Sequence, residues 1–187
     1  MAFVVVYDAC VLYPASVRDL LVRLATTGLF QARWTDRILD ECFRSIVASR
    51  PDLAGKLERT RQLMVRAIPD GLVTGYELLI DGLVLPDAGD RHVLAAAIRC
   101  GAQVIVTTNL HDFPASTLAP YAVEAQHPDT FLVHLLSLDP GAVLRAVAGQ
   151  AASLKSPQTS LSDLLNTLES RGLVQTVAEL RKLAEQS

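Results

Sequence analysis

Phe3-Val4-Val5-Val6-Tyr7 runs straight into Asp8, and these residues decide how the rest of the chain reads. An unbroken apolar run, rich in β-branched residues and without polar alternation, describes a strand covered on both faces, as in the middle of a parallel sheet. A carboxylate at the carboxyl end of such a strand stands where open α/β sheets build their sites. If buried, it needs a partner, and no Lys or Arg precedes Arg18.

Working outward, residues 103–106 form a second buried strand, ending in Val104-Ile105-Val106 and leading into Thr107-Thr108-Asn109. Tyr121-Ala122-Val123-Glu124-Ala125 is a candidate third strand, and Leu72-Val73 a short one. Helices fill the intervals. Ser16 precedes the stripe Leu20, Leu21, Leu24 and Ala25, which Gly28 ends. Thr35 suits an N-cap for a helix with Ile38, Leu39, Cys42, Phe43, Ile46 and Val47 on one side, stopped by Pro51. Residues 53–67 are amphipathic, Tyr76–Ile80 reads equally as helix or strand, and Pro86 closes that stretch. Asp87 suits a cap for a helix over 89–100, which Gly101 ends, and Asp129 a cap for a helix through Leu138.

Strands alternating with helices imply an α/β domain with a mainly parallel sheet over residues 1–138. Residues 139–187 differ. Pro140, Pro157 and Gly172 punctuate three helical pieces, and Ser160 with Asp163 makes a capping box ahead of Leu161, Leu164, Leu165 and Leu168. This helical extension is expected to pack on the domain, the alternative being a face offered to a partner.

The chain has 187 residues and a net charge of −3, which argues against a general nucleic-acid coat protein. The charge is uneven. Residues 18–66 carry ten Lys/Arg against six Asp/Glu, and residues 68–139 carry two against nine. A basic flank beside an acidic centre suits a phosphate backbone guided toward metals; solvated helix faces explain the same counts. Cys10, Cys42 and Cys100 are odd in number and form no CxxC pair, so they read as reduced core residues in a cytoplasmic protein. No apolar stretch is long enough to span a bilayer, and no basic segment precedes the first apolar run as in a signal peptide.

The acids carry the chemistry. Asp8, Asp40-Glu41, Asp87 with Asp90, and Asp112 come from distant segments, with no basic partner fixed by any motif, which points to a hard divalent cation. Helical periodicity does not choose between Asp40 and Glu41. Capping accounts for Asp87 well and for Asp90 less completely. Thr107 and Asn109 follow the second strand, where they suit a metal-held water, a phosphate or simple turn hydrogen bonds. His92, His111, His127 and His134 show no zinc spacing, and no GxGxxG, GxxxxGK[ST] or GxSxG is present.

Asp8 after the first strand, Glu41 on the second helix, LPDAGDRHVLAAAI at 85–98 and VIVTTNLHDF at 104–113 together resemble a PIN domain. The resemblance spans about residues 3–138. It implies a three-layer sandwich and a Mg²⁺- or Mn²⁺-dependent ribonuclease of the VapC toxin type. The implied partners are an RNA substrate and a cognate antitoxin, with a homodimer left open. It matches Asp8, Glu41 and Asp90 to the three central acids and so selects Glu41 over Asp40. The position that many members give to a fourth acid is Asn109 here, with Asp112 three residues on. The resemblance therefore implies a ligand set of Asp8, Asp90, Glu41 and Asp112, with Thr107, Asn109 and Asp87 auxiliary. The helical tail exceeds a minimal PIN domain. Two rivals fit the same residues: a phosphatase using Asp8 as nucleophile, which lacks the usual second acid two residues on, and a non-catalytic PIN-like module that binds RNA or protein.

Overall fold

The computed structural model describes residues 2–155 and 158–185. Four strands, β1 (Phe3–Tyr7), β2 (Phe30–Arg33), β3 (Val104–Val106) and β4 (Glu124–Gln126), pair in the order β2-β1-β3-β4, every pair parallel. β1 is central, as its sequence requires, and Val5, Val6 and Tyr7 are fully buried. From β1 the chain steps one way to β2 and later the other way to β3. Right-handed crossovers in opposite directions place their helices on opposite faces. The carboxyl ends of β1 and β3 therefore frame the crevice where strand order reverses.

α1 (Ala9–Leu12) and α2 (Ala15–Ala25) join β1 to β2. α3 (Asp36–Ser49) starts at Thr35, whose hydroxyl accepts from the Ile38 amide at 3.1 Å, and stops before Pro51. α4 (Ala54–Ala67) follows a 3₁₀ turn. A further 3₁₀ turn at Glu77–Gly82 takes the place of the ambiguous helix or strand, and α5 (Arg91–Cys100) leads into β3. Gly101, at φ +66°, closes α5 in the left-handed conformation that favours glycine. α6 (Ala115–Leu118) precedes β4.

Several expectations shift. Both α1 and β2 escape the periodicity reading, which passes from Gly28 to Thr35. The third strand begins at Glu124, because Ala119–Tyr121 is a 3₁₀ turn and Ala122 sits at φ 55°. Leu72-Val73 contributes a single bridge to Trp34. There the chain presses so close that a Cβ on Gly71 would meet the Trp34 ring at 2.9 Å.

On one face of the sheet, Phe3, Tyr7, Phe30 and Phe131 pack together. The Phe30 and Phe131 rings meet edge-on with centroids 5.2 Å apart, and the Tyr7 hydroxyl donates to the Leu21 carbonyl of α2 at 3.1 Å. Truncating Phe131 to Ala is expected to cost about 3–5 kcal/mol.

Phe131 belongs to α7 (Pro128–Leu138), and the tail follows as α8 (Pro140–Ser153), α9 (Leu161–Ser170) and α10 (Val174–Glu185). These helices pack on the domain: α8 lies against α2, and α10 against α7 and α9. The Ser160–Asp163 capping box is present, while the break at Pro157 lies outside the described residues. His127, not Asp129, caps α7. Asp129 instead reaches the start of α10. Its Oδ2 accepts from the Gln175 amide at 2.9 Å, and its Oδ1 from the Thr176 amide at 2.8 Å and hydroxyl at 2.7 Å.

Candidate metal centre

Asp8 leaves β1 as the cap of α1, and its backbone amide still pairs with β3 through the Val106 carbonyl at 3.1 Å. Its carboxylate is buried and needs no cationic partner. Oδ1 accepts from the Ala9 amide at 2.7 Å, and Oδ2 from the Thr107 hydroxyl at 2.7 Å and the Cys10 thiol at 3.2 Å. Thr107 is thus committed to Asp8. The same hydroxyl accepts from the Asn109 amide at 3.0 Å, which ties the loop after β3 to the loop after β1. The Cys10 sulfur also accepts from the Thr108 amide at 3.3 Å. Burial and the neighbouring Asp8 raise the Cys10 thiol pKa, so it serves as a neutral brace and not as a nucleophile.

α3 separates its adjacent acids. Asp40 turns toward α4 and pairs with Arg61, which also holds Asp36 at 2.8 Å. Glu41 turns to the crevice, where Arg37 Nε lies 3.0 Å from its Oε1 and His92 Nε2 3.0 Å from its Oε2. The expectation that the acids lack fixed basic partners therefore fails at Asp40 and at Glu41. Arg37 sits one helical turn before it, a spacing that signals such a pair. His92 is buried on α5, and burial is the leading cause of its lowered pKa, opposed by Glu41.

Asp87 caps the 3₁₀ turn before α5, accepting from the Gly89 amide at 2.7 Å, as its position implies. Asp112 is held by the Asn109 side-chain amide at Oδ2, and His111 Nδ1 lies 3.2 Å from its Oδ1. Asp90 differs from all of these, because its Oδ2 is buried and has no hydrogen-bond partner. Its pKa is pushed up to about 6, first by burial and then by Asp8, Asp87, Asp112 and Glu41.

Asp87, Asp90 and Asp112 bring ligand atoms within 4.8 Å of one another. Asp8, Glu41, Asp90 and Asn109 line a cavity of about 410 Å³, whose wall includes Cys10 and Cys42. Asp90 belongs to both groups. The structure therefore gathers Asp8, Glu41, Asp87, Asp90 and Asp112 at one edge of the sheet and leaves Asp40 outside, with Asp87 nearer the centre than its capping role suggests. A divalent cation fits this donor set. The oxygens are hard, the carboxylates repel one another, and a buried oxygen lacks a donor.

A parallel sheet with convergent acids at the point where strand order reverses defines a class of α/β domain with an acidic site. Within that class, residues 4–111 match the family model described as PIN domain, and residues 128–182 match the one described as VapC50 C-terminal domain. The chain belongs to the PIN domain family. One curated relative is the protein named "Putative ribonuclease VapC50" of Mycobacterium tuberculosis (strain ATCC 25618 / H37Rv), 38% identical over 118 residues, which cover 62% of this chain and 69% of the relative. No solved structure matches the chain. Among the described residues no helix is long and apolar enough to cross a membrane.

Proposed function

We propose that this protein is a VapC-type toxin, a Mg²⁺- or Mn²⁺-dependent ribonuclease that hydrolyses RNA phosphodiester bonds in the cytoplasm and is held in check by an antitoxin protein. The observation that carries the metal reading is Asp90. Every other acid of the cluster is held by a protein donor, whereas one buried oxygen of Asp90 is left for a cation. Asp8, Glu41, Asp90 and Asp112 would hold the ion, with Asp87 beside Asp90 and Asp112. Such an ion lowers the pKa of a bound water and offsets charge that builds on the phosphate.

The protein's own part is orientation. Thr107 and Cys10 aim Asp8, Asn109 aims Asp112, and Arg37 and His92 aim Glu41. Fixed carboxylates spare the site the cost of reorganising as charge develops on the substrate. The phosphatase rival lacks its usual second acid: Cys10 stands two residues after Asp8 and donates its thiol to it.

Purified protein is expected to cleave RNA with Mg²⁺ or Mn²⁺, to stop on chelation, and to release no phosphate from small esters. Asp8→Asn, folded by circular dichroism, should lose cleavage. Metal-independent cleavage, or full activity in Asp8→Asn, would overturn the assignment. Coexpression with an adjacently encoded small protein should suppress the activity.

A further inference from the structure

Glu41 is gripped at both ends, and its partners differ in kind. Arg37 approaches from the same helix, and its side chain is 45% exposed. His92 comes from α5, and its side chain is 1% exposed. A buried imidazole in an apolar helix face is usually placed to satisfy both ring nitrogens. Here Nδ1 is buried without a partner, so the ring's single hydrogen bond goes to Glu41. A carboxylate is an acceptor, so that bond requires the tautomer with the proton on Nε2. Neighbours along α5, Val93, Leu94, Ala95, Ala96 and Ala97, are all buried and apolar. A leucine at 92 would suit that packing, so packing alone does not explain the histidine.

We propose that His92 is a positioning residue that fixes the carboxylate of Glu41 toward the metal centre. Arg37 engages Oε1 and His92 engages Oε2, which prevents rotation of the carboxylate plane and leaves lone pairs on both oxygens for the crevice. Arg37 alone, which also donates to the Gly89 carbonyl at 3.5 Å, engages only Oε1 and leaves that plane free to turn. α5 begins immediately after Asp90, so the same helix that presents Asp90 also sets Glu41, and the two acids keep a constant relation.

This inference rests on the metal reading above and is tested first without RNA. Mn²⁺ binding to the full chain is measured by titration calorimetry, followed by RNA turnover. Loss of a residue that orients a ligand commonly costs about 10–100-fold in metal affinity or activity. His92→Leu is expected to weaken Mn²⁺ binding and lower kcat within that range. His92→Gln, whose amide N–H reaches toward the position of Nε2, should recover most of both. In a Glu41→Gln background, His92→Leu should have no further effect. If the leucine variant does not fold, His92→Asn, whose shorter amide stops short of Glu41, replaces it in the cycle. Wild-type affinity in the folded leucine or asparagine variant overturns the proposal, as does an undiminished loss in the Glu41→Gln background. A wild-type chain that binds no Mn²⁺ overturns the metal reading itself.

Discussion

Asp129 is buried and Asp90 half-buried with one shielded oxygen, and the molecule treats the two aspartates in opposite ways. At the joint between α7 and α10, Asp129 accepts three hydrogen bonds on its two carboxylate oxygens. At the edge of the sheet, Asp90 keeps one buried oxygen without a donor and stands among four other acids. A satisfied buried charge fastens one element to another. An unsatisfied one raises the energy of the folded state, and a cation that binds there recovers it. The C-terminal joint is therefore a fastening, and the crevice keeps the unmet acceptor that the proposed cation would use.

The largest expected effect lies in the crevice. Asp90→Asn should lower metal-dependent cleavage by at least about 100-fold, the upper end of what ligand-orienting residues cost. It should raise the Tm of the metal-free protein, because an amide neither repels the neighbouring acids nor needs a proton. A fall in apo Tm would mean that Asp90 is structural after all. Asp129→Ala should do the reverse. It leaves the Gln175 and Thr176 amides without their acceptor, which is expected to cost on the order of 2–4 kcal/mol by urea titration. Cleavage per folded molecule should persist, and its loss would show that the joint governs the crevice.

The same contrast has a pH signature. The folded pKa of Asp90 lies near 6 against about 4 in an unfolded chain. Between those values the folded state binds more protons, so stability falls as pH rises through the window. Metal-free wild type should therefore lose Tm between about pH 4 and pH 6 relative to Asp90→Asn, and saturating Mg²⁺ should remove that difference. Parallel curves in wild type and variant would exclude Asp90 as the source.

A finer comparison is inside the loop after β3. Asp112→Asn should weaken the response to Mn²⁺ more than Asn109→Ala does. The aspartate supplies anionic oxygens, whereas the asparagine acts through its amide donated to Asp112. A larger loss of Mn²⁺ response in Asn109→Ala would transfer the ligand role to the amide carbonyl.

Legibility in the sequence followed the range of the interactions. β1, Thr35, Gly101 and the capping box at Ser160 were readable because strand burial and caps are written in neighbouring residues. β2 was not, because Phe30–Arg33 is short and carries Gln31 and Arg33, and its strand character comes from pairing with β1. α1 is a single turn, too short for periodicity to register. Asp129 shows the limit most clearly. A local rule assigns it to its own helix, and the partners it actually serves lie 46 and 47 residues away. In the crevice, all the acids were identifiable as candidates, but the donors Cys10, Arg37 and His92 were not. Only Arg37 carried a signal, its spacing of four from Glu41.

The choice between Asp40 and Glu41 tests that account with the smallest expected effect. Neighbours on a helix point about 100° apart, so one must leave the crevice. Which one leaves is decided by Arg61 on α4, which holds Asp40 and stacks over Phe43 at 5.5 Å. Asp40 is exposed, and Arg61 keeps both Asp36 and the ring without it, so Asp40→Ala should change stability by less than about 1 kcal/mol. Its turnover should match wild type, while Glu41→Gln loses most of its own. Glutamine keeps the shape of Glu41 but removes the charge that Arg37 and His92 hold in place. The reverse ranking would place Asp40 in the crevice and Glu41 on the surface, which requires α3 to rotate by about a quarter turn. The buried face of α3, made of Ile38, Leu39, Cys42, Phe43 and Ile46, forbids that rotation, because it would carry core side chains toward water. A Thr35→Val variant, which lacks only the cap, should therefore lose about 1 kcal/mol of stability and keep the ranking of Asp40 and Glu41.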